Sequence, residues 1–232
     1  MVGLLETASI MLSHAQRRVE TAAHNIANMS TPGYKRQVSF SEALANIPDQ
    51  YGQDIRQSSF VDASQGKQVN SGNPSDIYIS GPGYFVVSDG EKTLFTRQGQ
   101  FERAADGRLR TGTGQALQAL DGGDLVLKPG AFEVAADGTV TQAAVPVGRI
   151  AIMDFPSTAR LAETGGAMSA EGAEPAPVEA QLRQGAFESS NVSTGEEMVT
   201  MMEALRRAEG AQRLVNVYDE LMGRALTAFG QS

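Results

Sequence analysis

Apolar residues near the beginning of the chain recur at alternating intervals of three and four positions. Larger and smaller side chains alternate along this series, which consists of Leu5, Ala8, Leu12, Ala15, Val19, Ala22, Ile26 and Met29. Such spacing predicts a long amphipathic helix with a coiled-coil seam. Its alanine side allows a partner helix to approach closely, because small side chains permit short distances between helix axes. The other interpretation is one long helix packed on its own domain.

A second helical pattern runs from about Thr194 to Phe229. The stretch SNVSTGEEM favours a helix start, since a Ser or Thr cap and paired glutamates satisfy the free amides at that end. The main apolar stripe then comprises Met201, Leu205, Ala208, Ala211, Val215, Tyr218, Met222, Ala225 and Phe229. Leu214, Val217 and Leu221 broaden it, and a stripe of this width can contact more than one neighbour.

Between the two helical patterns the hydrophobic period changes to two. Ile77 and Ile79 alternate with Tyr78, and Phe85 and Val87 alternate with Val86, as in strands. The Asp-Gly pairs in SDGE, AADGRL and AADGTV are typical of tight reversals. These features predict an α+β protein in which long terminal helices form a coiled-coil domain and the central domain is mostly antiparallel β structure.

The predicted domains follow these boundaries. Residues 1–36 and 190–232 form the terminal helical domain, and residues 72–160 form the central β domain. Residues 37–71 are polar and are interpreted as an extended connecting segment. Residues 161–189 are interpreted as a connector that returns to the C-terminal helix, because much of this segment is small, acidic and interrupted by Pro and Gly.

Composition excludes several kinds of chemistry. The net charge of −8 opposes broad nucleic-acid binding, and the absence of cysteine excludes disulfides and thiolate metal sites. His14 and His24 lie ten positions apart and do not form a ligand pair, and most of the candidate carboxylates belong to Asp-Gly turns. We therefore expect no catalytic, cofactor or metal residues, no cofactor, no small-molecule substrate and no enzyme activity.

The chain also shows no sign of membrane insertion. No apolar run approaches the ~20 residues of a membrane span. The first residues lack the basic start and continuous apolar stretch of a secretory signal, so we expect any export to occur without a cleaved signal peptide.

Several sequence blocks resemble one known family. AHNIANMSTPGYKRQ resembles the N-terminal signature of the flagellar rod and hook family, the axial proteins of the bacterial flagellum. SGNPSDIYISGPGYFVV and FTRQGQFERAADGRLRT resemble its central β-domain signature, and QGAFESSNVSTGEEMVTMMEALRRAE resembles its C-terminal signature. The blocks follow the order of the family and cover most of the chain. Ser75 and Ala208 depart from it, since the family usually has Leu and an aromatic residue there.

The resemblance implies a structural rod subunit of the flagellar basal body. It implies a terminal coiled-coil domain that lines a central export channel, an outer β domain, and export through the flagellar type III apparatus to a periplasmic rod. The implied partners are other copies of the chain, other flagellar rod proteins and the export apparatus. The implied role is helical polymerisation that transmits motor torque to the hook and filament. With 232 residues and one β domain, the chain is too short for a hook protein and too long for the rod components that lack that domain. It resembles members of the proximal rod most, with members of the distal rod next.

A binding module is the competing class. A periplasmic glycan-binding protein would use exposed aromatic side chains on the β domain, such as Tyr78 and Tyr84.

The family signature turn ends the first helix abruptly. Its residues are Asn25, Asn28, Thr31, Pro32, Gly33 and Tyr34. The asparagines can hydrogen-bond local backbone, Pro32 disfavours helix at Thr31, and Gly33 permits a positive φ. We expect the charges that follow, Lys35 and Arg36, to contact a neighbouring subunit together with Tyr34, or else to be solvated at an ordinary helix stop.

Overall fold

A computed structural model describes residues 2–39, 59–156, 160–164, 166–171 and 174–229. The chain divides into two compact units. The helical unit comprises Met1–Ala27, Gln37–Ser59 and Val192–Ser232, and the β unit comprises Asn28–Arg36 and Phe60–Asn191. The expected α+β class, with a helix at each end and an antiparallel central part, is confirmed.

Two long helices form the described core of the helical unit. Helix α1 spans Val2–Ala27 and helix α2 spans Thr194–Phe229. Helix α2 begins where the Ser/Thr and glutamate pattern predicts, with Glu196 and Glu197 in its first turn, where they complement the positive end of the helix dipole. The two helices pack against each other.

Short strands follow one another in the sequence between the two helices. The first nine strands are β1 (Gln37–Ser39), β2 (Ser59–Val61), β3 (Gln68–Asn70), β4 (Ile77–Ser80), β5 (Tyr84–Ser88), β6 (Thr93–Thr96), β7 (Phe101–Arg103), β8 (Leu109–Thr111) and β9 (Ala116–Leu117). The next nine are β10 (Glu133–Val134), β11 (Thr139–Gln142), β12 (Val145–Arg149), β13 (Ile152–Asp154), β14 (Arg160–Thr164), β15 (Ala167–Glu171), β16 (Ala176–Pro177), β17 (Gln181–Gln184) and β18 (Ala186–Glu188).

The strands of the β unit pair in antiparallel fashion. The largest sheet has the order β14-β15-β6-β5-β9-β8-β7, and β13 joins it by pairing with β5 and β16. A second sheet has the order β10-β11-β12. Strand β17 pairs with β4 and strand β18 pairs with β3, so the last two strands close on early ones.

The alternating pattern places the core as predicted. Ile77, Ile79, Phe85 and Val87 are buried in the main hydrophobic cluster, where the Phe85 ring meets the Phe101 ring edge-on at 5.3 Å. Val86 lies on the other face of the sheet in a second cluster. Successive strand residues therefore serve two separate cores, as the pleat requires.

Aspartates shape the predicted Asp-Gly reversals. Asp89 accepts hydrogen bonds from the amides of Glu91 and Lys92, and Asp137 accepts from the Thr139 amide and hydroxyl. These hydrogen bonds stabilise the ionised carboxylates, and they lower the pKa of Asp89 and of Asp137 below the ordinary value for aspartate. The aspartates thus stabilise turns, and this accounts for them without a catalytic role.

One hairpin carries measurable strain. The β11–β12 turn places Ala143 at φ 51° and Ala144 at φ 62°, the left-handed region that costs residues with a β-carbon about 1–2 kcal/mol each. We expect the double change Ala143→Asn with Ala144→Gly to raise the free energy of unfolding of the β unit by about 1 kcal/mol. Urea denaturation followed by circular dichroism measures it. Ala144→Val should move stability in the opposite direction, and equal midpoints for both variants would contradict this account.

The two predicted connecting segments contain strands. Within residues 161–189, β15 pairs with β6, and Ala167 and Met168 are buried. Composition did not indicate these strands. Backbone hydrogen bonds hold them in place, so they need few apolar side chains and their composition resembles that of a loop. Within residues 37–71 the structure has β1, β2 and β3, while residues 40–58 of that segment lie outside the described residues.

Candidate assembly surfaces and the signature turn

The contact between α1 and α2 is lined by alanine. Ala8, Ala15 and Ala22 recur every seven residues on α1 and are 0–3% exposed, and Ala204 and Ala211 have the same spacing on α2 and are 0–1% exposed. A seven-residue repeat keeps one face of a helix directed at its partner. The alanine side of the predicted seam is therefore used within the chain. Ala204 does not belong to the predicted stripe, because the neighbouring Leu205 fits the apolar period equally well.

The two helices run antiparallel. Arg18 on α1 lies 4.0 Å from Glu203 on α2, and Ala15 lines the same groove as Arg207. Residue numbers therefore increase in opposite directions along the two helices. An antiparallel pair lets the helix dipoles oppose each other favourably.

The other side chains of the predicted seam have several environments. Leu12, Leu205 and Met222 are 38–49% exposed, and Met29, in the β unit, is 44% exposed. Val19, Ile26, Met201, Ala208 and Val215 are half-buried. The side chains of Leu5 and Phe229 lie outside the described part of the structure. The buried alanines on α1 therefore form the closed side of the series, and its other described positions are half-buried or exposed; we call the exposed part the open surface.

Around the open surface, α1 and α2 expose many more apolar side chains. Each is 38–60% exposed, and the set is Ile10, Met11, Leu12, Met198, Val199, Met202, Leu205, Leu214, Val217, Leu221 and Met222. So many exposed apolar side chains along two helices favour contact with other proteins.

The last turn of α1 is tied to the strand that follows the signature turn. Asn25 is fully buried; its amide nitrogen donates to the Gln37 carbonyl at 2.8 Å, and its oxygen accepts from the Gln37 amide at 2.9 Å. One side chain thereby satisfies both backbone groups of a residue twelve positions away. Asn28 acts more locally, since its backbone carbonyl accepts from the Thr31 amide at 3.0 Å and its side-chain oxygen accepts from the Thr31 hydroxyl at 3.2 Å.

Gly33 adopts the conformation that the signature predicts. Its φ is +67°, and its amide donates to the Glu188 carbonyl at 2.7 Å. A β-carbon at this position would overlap the backbone of Arg97 and Gln98. Glycine is therefore required here by both its backbone angle and the close approach of another segment.

Substitution of Gly33 tests this double requirement. Gly33→Ala should lower the free energy of unfolding of the β unit by about 2–3 kcal/mol, of which about 1–2 comes from the positive φ. Gly72→Ala is the matched control, because Gly72 has φ +72° and no atom of the described residues lies within 4 Å of the place that a β-carbon would take. Equal losses for the two variants in thermal denaturation would show that the close approach costs nothing.

Three charged side chains meet in the interior of the β unit next to this turn. The Glu188 carboxylate accepts from Lys35 Nζ at 2.5 Å, from Arg97 Nη1 at 3.3 Å and from the Gly66 amide at 2.8 Å. The side chains of Lys35, Arg97 and Glu188 are 2%, 6% and 1% exposed. We call these three residues the buried charge cluster.

Backbone oxygens complete the shell of the buried charge cluster. Lys35 Nζ donates to the Ser64 carbonyl at 2.7 Å, and Arg97 Nη2 donates to the Gly81 carbonyl at 2.7 Å. Burial lowers the pKa of Lys35 below its ordinary value of 10.5, and the charge and hydrogen bond of Glu188 partly offset that effect. Glu188 thus holds two buried cations in place.

The cluster corrects one sequence prediction. Tyr34 is 8% exposed and Lys35 is 5% exposed, so they lie in the interior and are neither solvated nor available to a neighbour. For Tyr34 and Lys35 the expectation was wrong, because both side chains are buried and Glu188, which lies 153 positions away, provides the counter-charge of Lys35. No local sequence signal indicated that pairing. For Arg36, which is half-buried, the expectation stays a prediction.

The residues of the competing glycan-binding class are also buried. Tyr78 is 9% exposed and accepts a hydrogen bond from Gln65, and Tyr84 is 4% exposed and lies beside Arg97 and Phe155. Neither ring is available to stack on a sugar. That expectation for Tyr78 and Tyr84 is therefore wrong.

Two further observations concern ligands and membranes. Within the described ranges, no three His, Asp or Glu side chains gather into a possible metal site. Neither described helix combines the length and apolar character required to cross a bilayer.

Comparison with known proteins assigns the three parts of the chain to one family. Residues 5–35 match the model described as flagella basal body rod protein, residues 78–142 match the flagellar hook protein FlgE/F/G D1 domain, and residues 183–228 match the flagellar basal body rod FlgEFG protein C-terminal model. The chain belongs to the flagellar rod and hook family. Lys35, Arg97 and Glu188 come one from each matched part, so the buried charge cluster joins all three.

Individual rod proteins are similar over nearly their whole length. Flagellar basal-body rod protein FlgF of Caulobacter vibrioides is 28% identical, with 93% of each chain covered. Flagellar basal-body rod protein FlgG of Bacillus subtilis is 25% identical, with 91% of this chain and 93% of the relative covered. The family is structural, and we class this rod-family chain as a structural protein and not as an enzyme.

Proposed function

We propose that the chain is an axial subunit of the flagellar basal-body rod that polymerises through its helical unit. The observation that carries this proposal is the open apolar surface of α1 and α2. Within one chain the alanine faces are already occupied, so the exposed leucine, methionine and valine side chains are available to further helices. Neighbouring subunits would bury them in a coiled-coil arrangement.

Repeated contacts of this kind build a tube. An interface between different surfaces of identical subunits, repeated with a rotation and a rise, gives an open helical assembly. In this arrangement residues 1–36 and 190–232 surround a central export channel, residues 72–160 form the outer domain, and residues 37–71 and 161–189 connect them. Dense packing at the interfaces resists shear, and the rod thereby transmits motor torque to the hook and filament.

Family membership supports the remaining parts of the proposal. We place the subunit in the periplasmic rod, where it joins other copies of itself and other rod proteins after export by the flagellar type III apparatus without signal cleavage. Within the rod, the proximal part is our first candidate for its position. The distal rod is the second candidate, since similar relatives carry both the FlgF and the FlgG names.

Isolation of basal bodies tests the proposed function. We expect a deletion strain of the source bacterium to build no complete rod, and we expect an epitope-tagged chain to restore the rod and to copurify with basal bodies. Electron microscopy and mass spectrometry of the purified structures measure both results. Complete rods in the deletion strain, or basal bodies without the tagged chain, would refute the proposal.

A further inference from the structure

A groove on the helical unit combines a cavity with an excess of positive charge. It has a volume of about 210 Å³ and is lined by Met11, His14, Ala15, Arg18 and Arg207. The small Ala15 leaves space between the longer side chains on α1. Met11 is 41% exposed and Arg207 is exposed, so the groove is accessible from solvent. We call it the arginine groove.

The arginine in the floor of the groove lacks a good partner. The Arg18 side chain is only 11% exposed, and its closest carboxylate oxygen, on Glu203, is 4.0 Å from Nη2. Its Nε is buried and has no hydrogen-bond acceptor among the residues that the structure describes. A buried donor without an acceptor costs about 1–3 kcal/mol, so an additional acceptor at this point would stabilise the unit.

The surroundings of the groove increase its positive charge. Arg207 forms no ion pair with any of the described residues, and Arg17 and Arg206 stand directly beside the two lining arginines in sequence. Four of the 19 Lys and Arg residues therefore lie in two adjacent-arginine pairs on facing helices, in a chain whose net charge is −8. The groove is a local exception to the acidic character of the chain.

We propose that the arginine groove binds a carboxylate side chain from helix α2 of a neighbouring copy of this chain. The inference rests on the proposed function, because it places the contact in the assembled rod. Helix α2 supplies suitable groups, since Glu196, Glu209 and Asp219 are exposed and form no ion pair within the described residues. Arginine is suited to this task because its planar group binds carboxylates in a bidentate manner.

Position and size agree with this occupant. The groove borders the open apolar surface, because Met11 belongs to both. A cavity of 210 Å³ equals roughly seven water volumes and accommodates a Glu or Asp side chain. An apolar helix face alone defines register weakly, and one buried polar contact fixes it. The groove would thus set the register between rod subunits.

Charge variants in living cells test the inference. Arg207→Glu is expected to reduce incorporation of the tagged chain into basal bodies at least about tenfold, because a partner carboxylate would meet a like charge. Arg207→Gln should give a smaller loss. The matched control is Arg206→Glu, the same change on the next exposed residue, which does not line the groove; it should incorporate normally.

Reversal of the partner charge distinguishes loss of the contact between subunits from misfolding of the variant chain. One of Glu196→Arg, Glu209→Arg and Asp219→Arg, combined with Arg207→Glu, is expected to restore incorporation. A disulfide provides a direct readout, since the natural chain has no cysteine. One copy carries Arg207→Cys, and another carries Cys in place of the acidic residue whose reversal restores incorporation. Oxidised basal bodies should then contain a cross-linked dimer.

The outcomes distinguish the two proposals. Absence of the natural chain from basal bodies would refute the proposed function itself. Presence of the natural chain together with equal incorporation of Arg207→Glu and Arg206→Glu would overturn the groove inference alone. Failure of all three reversals and of all three cysteine pairs would also overturn it.

Discussion

Replacement of Glu188 by Ala should lower the free energy of unfolding of the β unit by about 3–5 kcal/mol, the usual cost of leaving a buried charge without its partner. The variant leaves Lys35 and Arg97 in the interior with side chains 2% and 6% exposed. It also removes the acceptor of the Gly66 amide. Both effects act in the same direction.

Tyrosine fluorescence during urea denaturation measures this loss. The chain has no tryptophan, and three of its five tyrosines, Tyr34, Tyr78 and Tyr84, are buried in the β unit, so most of the signal comes from that unit. Glu102→Ala is the control, because it makes the same chemical change at an exposed strand position and should cost less than about 0.5 kcal/mol. Similar midpoints for Glu188→Ala and Glu102→Ala would contradict the role given to the buried charge cluster.

The loss should also depend on pH. In the folded natural chain the pKa of Lys35 is lowered, so the unfolded chain binds more protons between that value and 10.5, and stability from this residue rises with pH across that range. Without Glu188 the pKa of Lys35 falls further and the range widens. The difference in stability between Glu188→Ala and the natural chain should therefore shrink as pH rises from neutral towards 10.5.

Ala22→Glu should abolish incorporation of the chain into rods while the β unit stays folded. Ala22 is fully buried on the alanine face of α1, and a glutamate there places a larger, charged group where α1 meets α2. Such a group must be desolvated or must separate the helices, and either costs several kcal/mol. Ala15→Glu should also block incorporation, because Ala15 is 2% exposed on the same face and a glutamate there would occupy the arginine groove from within the chain.

A neighbouring alanine provides the control for this prediction. Ala23 is exposed and adjacent in sequence, so Ala23→Glu adds the same charge to the same helix without entering the α1–α2 contact. Tagged variants are compared by their amount in purified basal bodies, and urea denaturation followed by tyrosine fluorescence verifies the β unit. Rods that contain Ala22→Glu at the level of Ala23→Glu would show that the alanine contact is unnecessary for assembly.

Local patterns in the sequence predicted local structure well. Both helices follow from apolar periods, and the alternation around Phe85 and Val87 assigned two faces of one strand correctly. The Asp-Gly turns follow from aspartate hydrogen bonding to nearby amides, which needs only a few residues of context.

Long-range pairings were not predictable from the same patterns. Lys35 has the sequence context of a surface charge, because Glu188 is 153 positions away and nothing local indicates that they meet. Strand β15 has an ordinary surface composition, and its place is set by a backbone ladder to β6. On α2, Ala204 and Leu205 fit the period equally well, and only the partner helix decides which of them is buried.

The buried charge cluster also determines when, during synthesis, the β unit can complete its folding. Protein synthesis delivers the chain from its N-terminus, so Lys35 and Arg97 emerge long before their counter-ion at position 188 of 232. Until then two unneutralised cations oppose closure of the β interior, and β3 and β4 lack their pairing strands β18 and β17. A nascent chain is thereby kept from completing the β unit until about four-fifths of it has been made.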